Sequence, residues 1–319
     1  MAQHFLLSAK ARTLSLKSVF RMGEDKAYET FSAMRWHDTD GLPVCPRCGC
    51  LGAYSITTRR KFKCAGCHHQ FSVTSGTIFA SRKLSFTDLL AAIAIFVNGA
   101  KGVSALQVSR DLNVQYKTAF VLSHKLREAM AAEFDARTLS GLVEVDGAYF
   151  GGYVKPENEK ADRKDRRLKA NLNGKRQCVV IMRERGGRTL PFVVRNESDG
   201  AALVRQRVTT GSTIHADEAS SWDSLHAAYE TRRVNHSVVF KRHGIDTNQA
   251  ESFFSRLRRA EIGTHHHIAG RYLDAYASEM SWREDNRRVS NGDQFRMVVG
   301  AATGLPVSRQ WKGYWQRAA

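Results

Sequence analysis

Thr247-Asn248-Gln249-Ala250-Glu251-Ser252-Phe253-Phe254-Ser255-Arg256-Leu257-Arg258-Arg259 reads as one basic, amphipathic helix with a single carboxylate. Thr247 or Asn248 can cap its start, because a short side-chain oxygen accepts from the first free backbone N–H groups. Ala250, Phe253, Phe254 and Leu257 recur at offsets of three and four and form the apolar face. Glu251 and Arg258 lie two turns apart, so they project in nearly the same direction. An acid among arginines is by itself an ordinary solvated helix face. The segments upstream change that reading. Leu142-Val143-Glu144-Val145-Asp146-Gly147 and Ser212-Thr213-Ile214-His215-Ala216-Asp217-Glu218 are strand-like and end in acids. Asp146, Asp217 and Glu251 would then sit on strand, strand and helix, a pattern suited to holding hard cations through oxygen ligands.

The chain of 319 residues carries 49 Lys and Arg against 31 Asp and Glu, a net charge of +18. With an isoelectric point near 9.9, it calls for a polyanionic partner, nucleic acid first. The longest apolar run, Leu89 to Val97, is too short to span a bilayer. The opening Met1 to Lys17 lacks the pattern of a secretory signal, so an intracellular protein is expected. A chain of this length is expected to divide into several domains.

Four of the six cysteines form two pairs, Cys45-Pro46-Arg47-Cys48 and Cys64-Ala65-Gly66-Cys67, with fifteen residues between them. Two such knuckles let four thiolates close a tetrahedron around structural Zn²⁺. Doubled pairs on a short β-rich stretch speak against a redox motif. Cys50 breaks the paired spacing, and His68 and His69 read as basic surface. Between the knuckles, Arg59, Arg60, Lys61 and Lys63 give the ribbon a basic edge suited to phosphates.

Apolar spacing from about residue 17 to 36 predicts a helical leader. After the ribbon, helices are expected from Ser85, from Ser104 to Leu112 and from Gln115 to about Ala132, the plan of a helix-turn-helix. On the last of these, Gln115, Tyr116, Lys117, Thr118, His124 and Lys125 are the candidate DNA contacts. Residues 1–136 are then expected to bind DNA alone. From Gly141 the pattern becomes strands: Glu144 and Asp146 face one way, Val143 and Val145 the other. Lys155 to Arg176 reads as a charged exposed loop. Gln177–Arg183 and Thr189–Val194 read as a hairpin, Ala201–Val208 as a helix, and Thr213–Ala216 as the strand delivering Asp217. Trp222, Leu225 and Tyr229 mark a further helix, Val234–Phe240 a strand, and Arg271–Arg288 a final helix. The expected organisation is a leader (1–40), a β zinc ribbon (41–80), an all-α helix-turn-helix (82–138), an α/β domain (141–300) and a C-terminal tail (301–319).

Three strands, a helix, a strand carrying Asp and a helix carrying Glu is the order of a ribonuclease-H-like sheet, in which the first and fourth strands are neighbours. From about Trp36 to Trp315 the chain resembles bacterial insertion-sequence transposases that join an N-terminal zinc ribbon to a DDE catalytic domain, the group related to Merlin elements. The likeness rests on Trp36, Gly41 and the Cys-Pro-x-Cys-Gly lead-in, and on Val143-Glu144-Val145-Asp146 with Tyr149-Phe150-Gly151-Gly152. It extends through His215-Ala216-Asp217-Glu218, Thr247-Asn248 with Glu251-Ser252-Phe253, and Trp282-Arg283-Glu284-Asp285-Asn286-Arg287-Arg288. It implies Asp146, Asp217 and Glu251 as the triad, with Arg258 as its basic companion and Asn248 as the rival third residue. It also implies two Mg²⁺, or Mn²⁺ in their place, and cleavage at terminal inverted repeats followed by attack of the 3′-OH on target DNA. A homodimer or larger assembly in the bacterial cytoplasm, associated with the nucleoid, completes that expectation. Gly147 departs from relatives that often carry Glu there. A zinc-ribbon, helix-turn-helix transcription regulator would account for residues 41–136 but not for the acids. A structure-specific nuclease of the same fold would account for the acids without strand joining.

Overall fold

A computed structural model of the chain describes residues 4–134, 136–152, 157–165, 171, 174–234 and 246–317. Two compact units divide it: Met1–Ala132 with Asn286–Ala319, and Glu133–Asp285.

The first unit starts with α1 (Leu16–Arg21) and α2 (Gly23–Arg35), the expected leader. An antiparallel sheet of β1 (Ala53–Ile56), β2 (Lys61–Cys64) and β3 (Gln70–Ser72) follows. Next come α3 (Phe86–Asn98), α4 (Ala105–Asp111) and α5 (Tyr116–Ala131). Ser85 caps α3, its hydroxyl accepting from the Asp88 N–H at 2.9 Å, and the Glu24 carboxylate of α2 accepts from the N–H groups of Phe86 and Thr87 at 3.0 Å each. That fastening packs Phe31 against Phe79 and Phe86. Ile95, Val103, Val108 and Ala119 form the core between α3, α4 and α5.

One helix of this unit escaped the sequence reading. α9 (Asn291–Gly304) packs on α2, α3 and α5, burying Phe295, Val298, Val299 and Ala302. Its two boundary labels therefore need correction: residues 286–300 belong with the N-terminal half rather than with the α/β domain, and 301–319 continue the same unit. Asn291-Gly292 reads as a turn, yet Ser290 accepts from the Asp293 N–H at 3.2 Å and starts a helix there. A fragment ending at residue 136 lacks α9, so the expectation that residues 1–136 suffice no longer follows.

The second unit is built on a five-stranded mixed sheet in the order β6-β5-β4-β7-β8. Its strands are β4 (Leu142–Phe150), β5 (Gln177–Glu184), β6 (Thr189–Val194), β7 (Thr213–Asp217) and β8 (Glu230–Val234). β5 runs antiparallel to both of its neighbours, β4 and β6, whereas β7 runs parallel to β4 and β8 parallel to β7. The sheet thus has the neighbours expected of the ribonuclease-H-like plan. α6 (Gly200–Arg207) packs on one face, where a Cβ at Gly200 would stand 2.9 Å from Val180 and crowd Trp222 at 3.1 Å. α7 (Asn248–Ala260) and α8 (Leu273–Asp285) cover the other through Ala148, Phe150, Val179, Ile181, Phe253, Phe254 and Leu257.

Two expectations shift here. The strand placed at Val234–Phe240 is β8, which ends at Val234; residues 235–240 lie outside the described residues. Glu230, Arg232 and Arg233 hid it, since charged side chains suit an exposed edge strand but mask its alternation. Trp222 and Leu225 sit on a 3₁₀ segment, Ser220–Ala227, and Tyr229 follows it, its hydroxyl donating to the Val208 carbonyl at 2.8 Å. The charged stretch expected as a loop at 155–176 separates β4 from β5 and lies partly outside the described residues.

Candidate active site and metal centre

The cysteine quartet closes as its spacing requires. Cys45 Sγ lies 3.7 Å from Cys67 Sγ, and Cys48 Sγ lies 3.6 Å from Cys64 Sγ. All four sulfurs fall within 4.8 Å of one another. A zinc–sulfur bond of about 2.3 Å gives a tetrahedron whose edge is about 3.8 Å, so the quartet already has the dimensions of a Zn²⁺ site. The Cys67 N–H, 3.5 Å from Cys64 Sγ, leads in holding the Cys64 thiol down to about 6, toward the thiolate that binds metal. Cys50 stands apart, its thiol directed to the Gly52 carbonyl at 3.8 Å.

In the second unit the helix that carries Glu251 is held by an acid the sequence placed but did not explain. Glu144 is fully buried on β4. Its Oε2 accepts from the N–H groups of Gln249 and Ala250 at 2.8 and 3.1 Å, while Oε1 accepts from Arg185 Nη2 at 2.8 Å. The same guanidinium bonds Asp246 Oδ1 at 2.8 Å, just before the helix. Thr247 supplies no side-chain cap, and Asn248 is the first helical residue rather than the cap. The cap comes from a different strand because a buried carboxylate answers both the free N–H groups and the positive end of the helix dipole. Glu144 and Asp146 do share a face of β4, and fixing the first fixes the helix beside the second.

Asp146, in the middle of β4, and Asp217, the last residue of β7, each lie one step beyond the last pair of these adjacent parallel strands, Val145 with Ala216. Asp146, Gly147, Ala148, Glu251, Phe254, Ser255, Arg258 and Arg259 line a cavity of about 450 Å³. Glu251 and Arg258 therefore reach one hollow from one helix edge, and Asp146 faces them. Arg258 is exposed, packs near the Phe150 ring at 5.9 Å, and has no ion pair among the described residues. Asn248 is exposed and does not line the cavity. Burial pushes the Asp146 carboxyl up to about 7, against the pull of the Gly147 N–H that it accepts at 2.8 Å; the charges of Asp217, Glu197 and Glu251 add to the rise. Like charges converging on a half-buried carboxyl are the condition a bound cation relieves, and the donors are hard oxygens suited to Mg²⁺. Among the described residues, only the cysteines bring three or more possible ligand atoms within 4.8 Å of one another, so the carboxylates are neighbours rather than a closed cage.

Glu197 is the residue the sequence did not flag. It opens the turn into α6, its carboxylate accepts from Ser221 Oγ at 3.2 Å, and its N–H donates to the Tyr149 hydroxyl at 3.3 Å. Burial first, then the charge of Asp217, raises its own pKa. A Cβ at Gly147 would stand 2.2 Å from Glu197 Oε1. The missing side chain at 147 thus leaves the room that the Glu197 carboxylate fills. The signal was the bare glycine after Asp146, legible only with Glu197 beside it.

The basic candidates separate into groups. Arg59, Arg60, Lys61 and Lys63 are exposed on the ribbon. Arg60 is already paired with Glu24 and Asp25, which leaves Arg59, Lys61 and Lys63 the freer edge. Gln115, Tyr116 and Lys117 are exposed where α5 starts, with Thr118 half-buried beside them. His124 and Lys125 do not join them: His124 is buried against Trp311, and burial lowers the Lys125 pKa. The charged Arg283–Asp285 stretch works inside the fold, with Glu284 bonding Arg183 at 3.1 Å and Asp285 bonding Arg137 at 3.0 Å.

Residues 138–285 match the ISXO2-like transposase domain, nearly the whole of the second unit, and residues 22–70 match the transposase zinc-ribbon domain. No curated protein matches the chain. Among solved structures, the Mos1 strand transfer complex aligns over 67% of this chain and 78% of that one, at 11% identity and a TM-score of 0.25. With the cysteine quartet inside one matched stretch, and Asp146, Asp217 and Glu251 inside the other, the chain belongs to the insertion-sequence transposases that carry a zinc ribbon ahead of a DDE domain.

Proposed function

We propose that the protein binds the terminal inverted repeats of an insertion sequence, cleaves a strand there in a metal-dependent reaction, and joins the freed 3′-OH to target DNA. The observation that carries this is the meeting of Asp146 with Glu251 and Arg258 around one cavity, with Asp217 on the adjoining strand. Asp146, Asp217 and Glu251 would hold the divalent cations, which when bound activate the attacking oxygen and steady the leaving one. Arg258 reaches the same cavity with no ion pair among the described residues and would grip the scissile phosphate through two N–H groups. Glu144 and Arg185 keep the start of α7 fixed to β4, and so hold Glu251 opposite Asp146 before substrate arrives. Glu251 is favoured over Asn248 because it lines the cavity and offers a charged oxygen.

The three-helix bundle of α3, α4 and α5 serves as a helix-turn-helix, with Gln115, Tyr116, Lys117 and Thr118 at the start of α5 entering the major groove. Arg59, Lys61 and Lys63 on the ribbon add phosphate contacts. Work on paired element ends calls for a homodimer or larger assembly, acting in the bacterial cytoplasm at the nucleoid.

The test is Mg²⁺-dependent cleavage and joining of a labelled terminal repeat. Glu251→Gln should abolish both while DNA binding persists, and Asn248→Ala should retain chemistry. An active Glu251→Gln beside an inactive Asn248→Ala would reverse the assignment. Cutting without joining would mark a nuclease, and tight binding without cutting a regulator.

A further inference from the structure

The segment after α9 is docked on the first three turns of α5. Trp311, 3% exposed, stacks on His124 with ring centroids 4.2 Å apart. Phe120 meets Trp311, Tyr314 and Trp315 at 6.0, 6.1 and 5.8 Å. Trp315 Nε1 donates to the Lys117 carbonyl at 3.4 Å, and Lys117 Nζ lies 5.4 Å from the centre of the Trp315 ring. Arg317 folds back on the segment, donating to the carbonyls of Arg309 and Lys312. The segment is thus a closed loop anchored by rings; it carries exposed Arg309 and Lys312, and its Trp315 meets the exposed Lys117. No acid occurs from Leu305 to Ala319, and none lies in the first turn of α5. Trp315 and Tyr116 keep 46% and 48% of their surface exposed. Half-exposed rings interleaved with cations at the positive end of a helix form a surface for a polyanion.

We propose that residues 308–317 are a second DNA-gripping element of the first unit. Arg309 and Lys312 contact the phosphate backbone of the duplex beside the groove that α5 enters, and Trp315 locks the loop to that helix. This rests on the DNA-binding reading above and extends it to a segment outside the helix-turn-helix. A second copy of the chain is the poorer occupant, since the patch would face its own cations on a molecule of net charge +18.

The experiment uses the full-length, zinc-loaded protein and a fluorescent duplex bearing the terminal repeat, with affinity measured across a salt series. Each phosphate contact adds about 0.9 to the slope of log affinity against log salt. Arg309→Ala with Lys312→Ala should therefore lower the slope by roughly 2 and weaken binding about 10- to 100-fold near 0.1 M salt. Arg309→Lys with Lys312→Arg should restore the slope. Trp315→Ala, which frees the loop, should weaken binding similarly. If that variant fails to fold, the exposed Arg309–Lys312 pair carries the test alone. Wild-type binding with an unchanged slope in the double variant overturns the proposal. So does loss of self-association, seen by sedimentation, with that slope unchanged, because it assigns the patch to a second copy. Wild-type protein with no affinity for the duplex would instead overturn the DNA-binding reading of the whole chain.

Discussion

Asp146→Asn should make the metal-free protein more stable at pH 8 while removing its chemistry. In the folded chain the Asp146 carboxyl titrates at about 7, against an ordinary value of 3.8. Between those values the folded state holds a proton that the unfolded state has released. By linkage, the contribution of this carboxyl to stability is greatest below pH 3.8, falls as pH rises through the window, and levels off above about 7. The gap is about three pH units at roughly 1.4 kcal/mol each, or up to about 4 kcal/mol lost by pH 8. Protons are shared among neighbouring carboxylates, so an observed difference of about 2 to 4 kcal/mol is the expectation. Asparagine keeps an oxygen to accept the Gly147 N–H, now at 2.8 Å, and carries no charge to desolvate. Urea unfolding of the two proteins at pH 4.5, 6 and 8 should show a difference of about 1 kcal/mol or less at the acid end that widens as pH rises. Zinc loss at low pH affects both proteins alike, because the ribbon lies in the other unit. Added Mn²⁺ should stabilise the wild type more than the variant. A variant no more stable than wild type at pH 8, or a difference independent of pH, would refute the account.

Glu144→Ala strips a buried charge from Arg185 and two helix N–H groups, so urea unfolding should show a loss of about 3 to 5 kcal/mol, and a loss below 1 would remove its clamping role. Zinc content should fall from about one ion per chain to none in Cys64→Ser and stay at one in Cys50→Ser, read by metal analysis. Gly147→Ala should displace the Glu197 carboxylate, whose Oε1 stands 2.2 Å from the new methyl position, and reduce cleavage at little cost in melting temperature. Glu197→Gln should reduce cleavage in the same way and lower the midpoint of the Asp146 titration; full activity in both variants would leave Glu197 a bystander.

The parts legible in the sequence are those with a short, local signal. The cysteine pairs, the β4 alternation that puts Glu144 with Asp146, and the two-turn spacing of Glu251 and Arg258 each read directly onto the structure. The parts missed depend on partners distant in the chain. Glu144 gives no hint that it caps a helix more than a hundred residues later. Glu197 joins the acids only through a glycine on another strand. α9 is hidden because Asn291 and Gly292 favour a turn, and only Ser290 with Asp293 betrays a helix start. His124 and Lys125 read as groove contacts because an amphipathic helix does not say which of its polar residues the fold will bury, His124 here beneath Trp311.

The division of the first unit into Met1–Ala132 and Asn286–Ala319 also bears on how the protein is made. The ribosome finishes α5 about 170 residues before it finishes α9, roughly 10 to 35 s earlier at ordinary elongation rates. For that interval the apolar faces of α2, α3 and α5 wait for α9 to cover them, while the whole second unit emerges and can fold. A message cut short between Asp285 and the end of α9 therefore yields a complete α/β unit attached to an unfinished neighbour with exposed core. Such a product should be recognised by chaperones and proteases rather than persist as an unguided cutting enzyme.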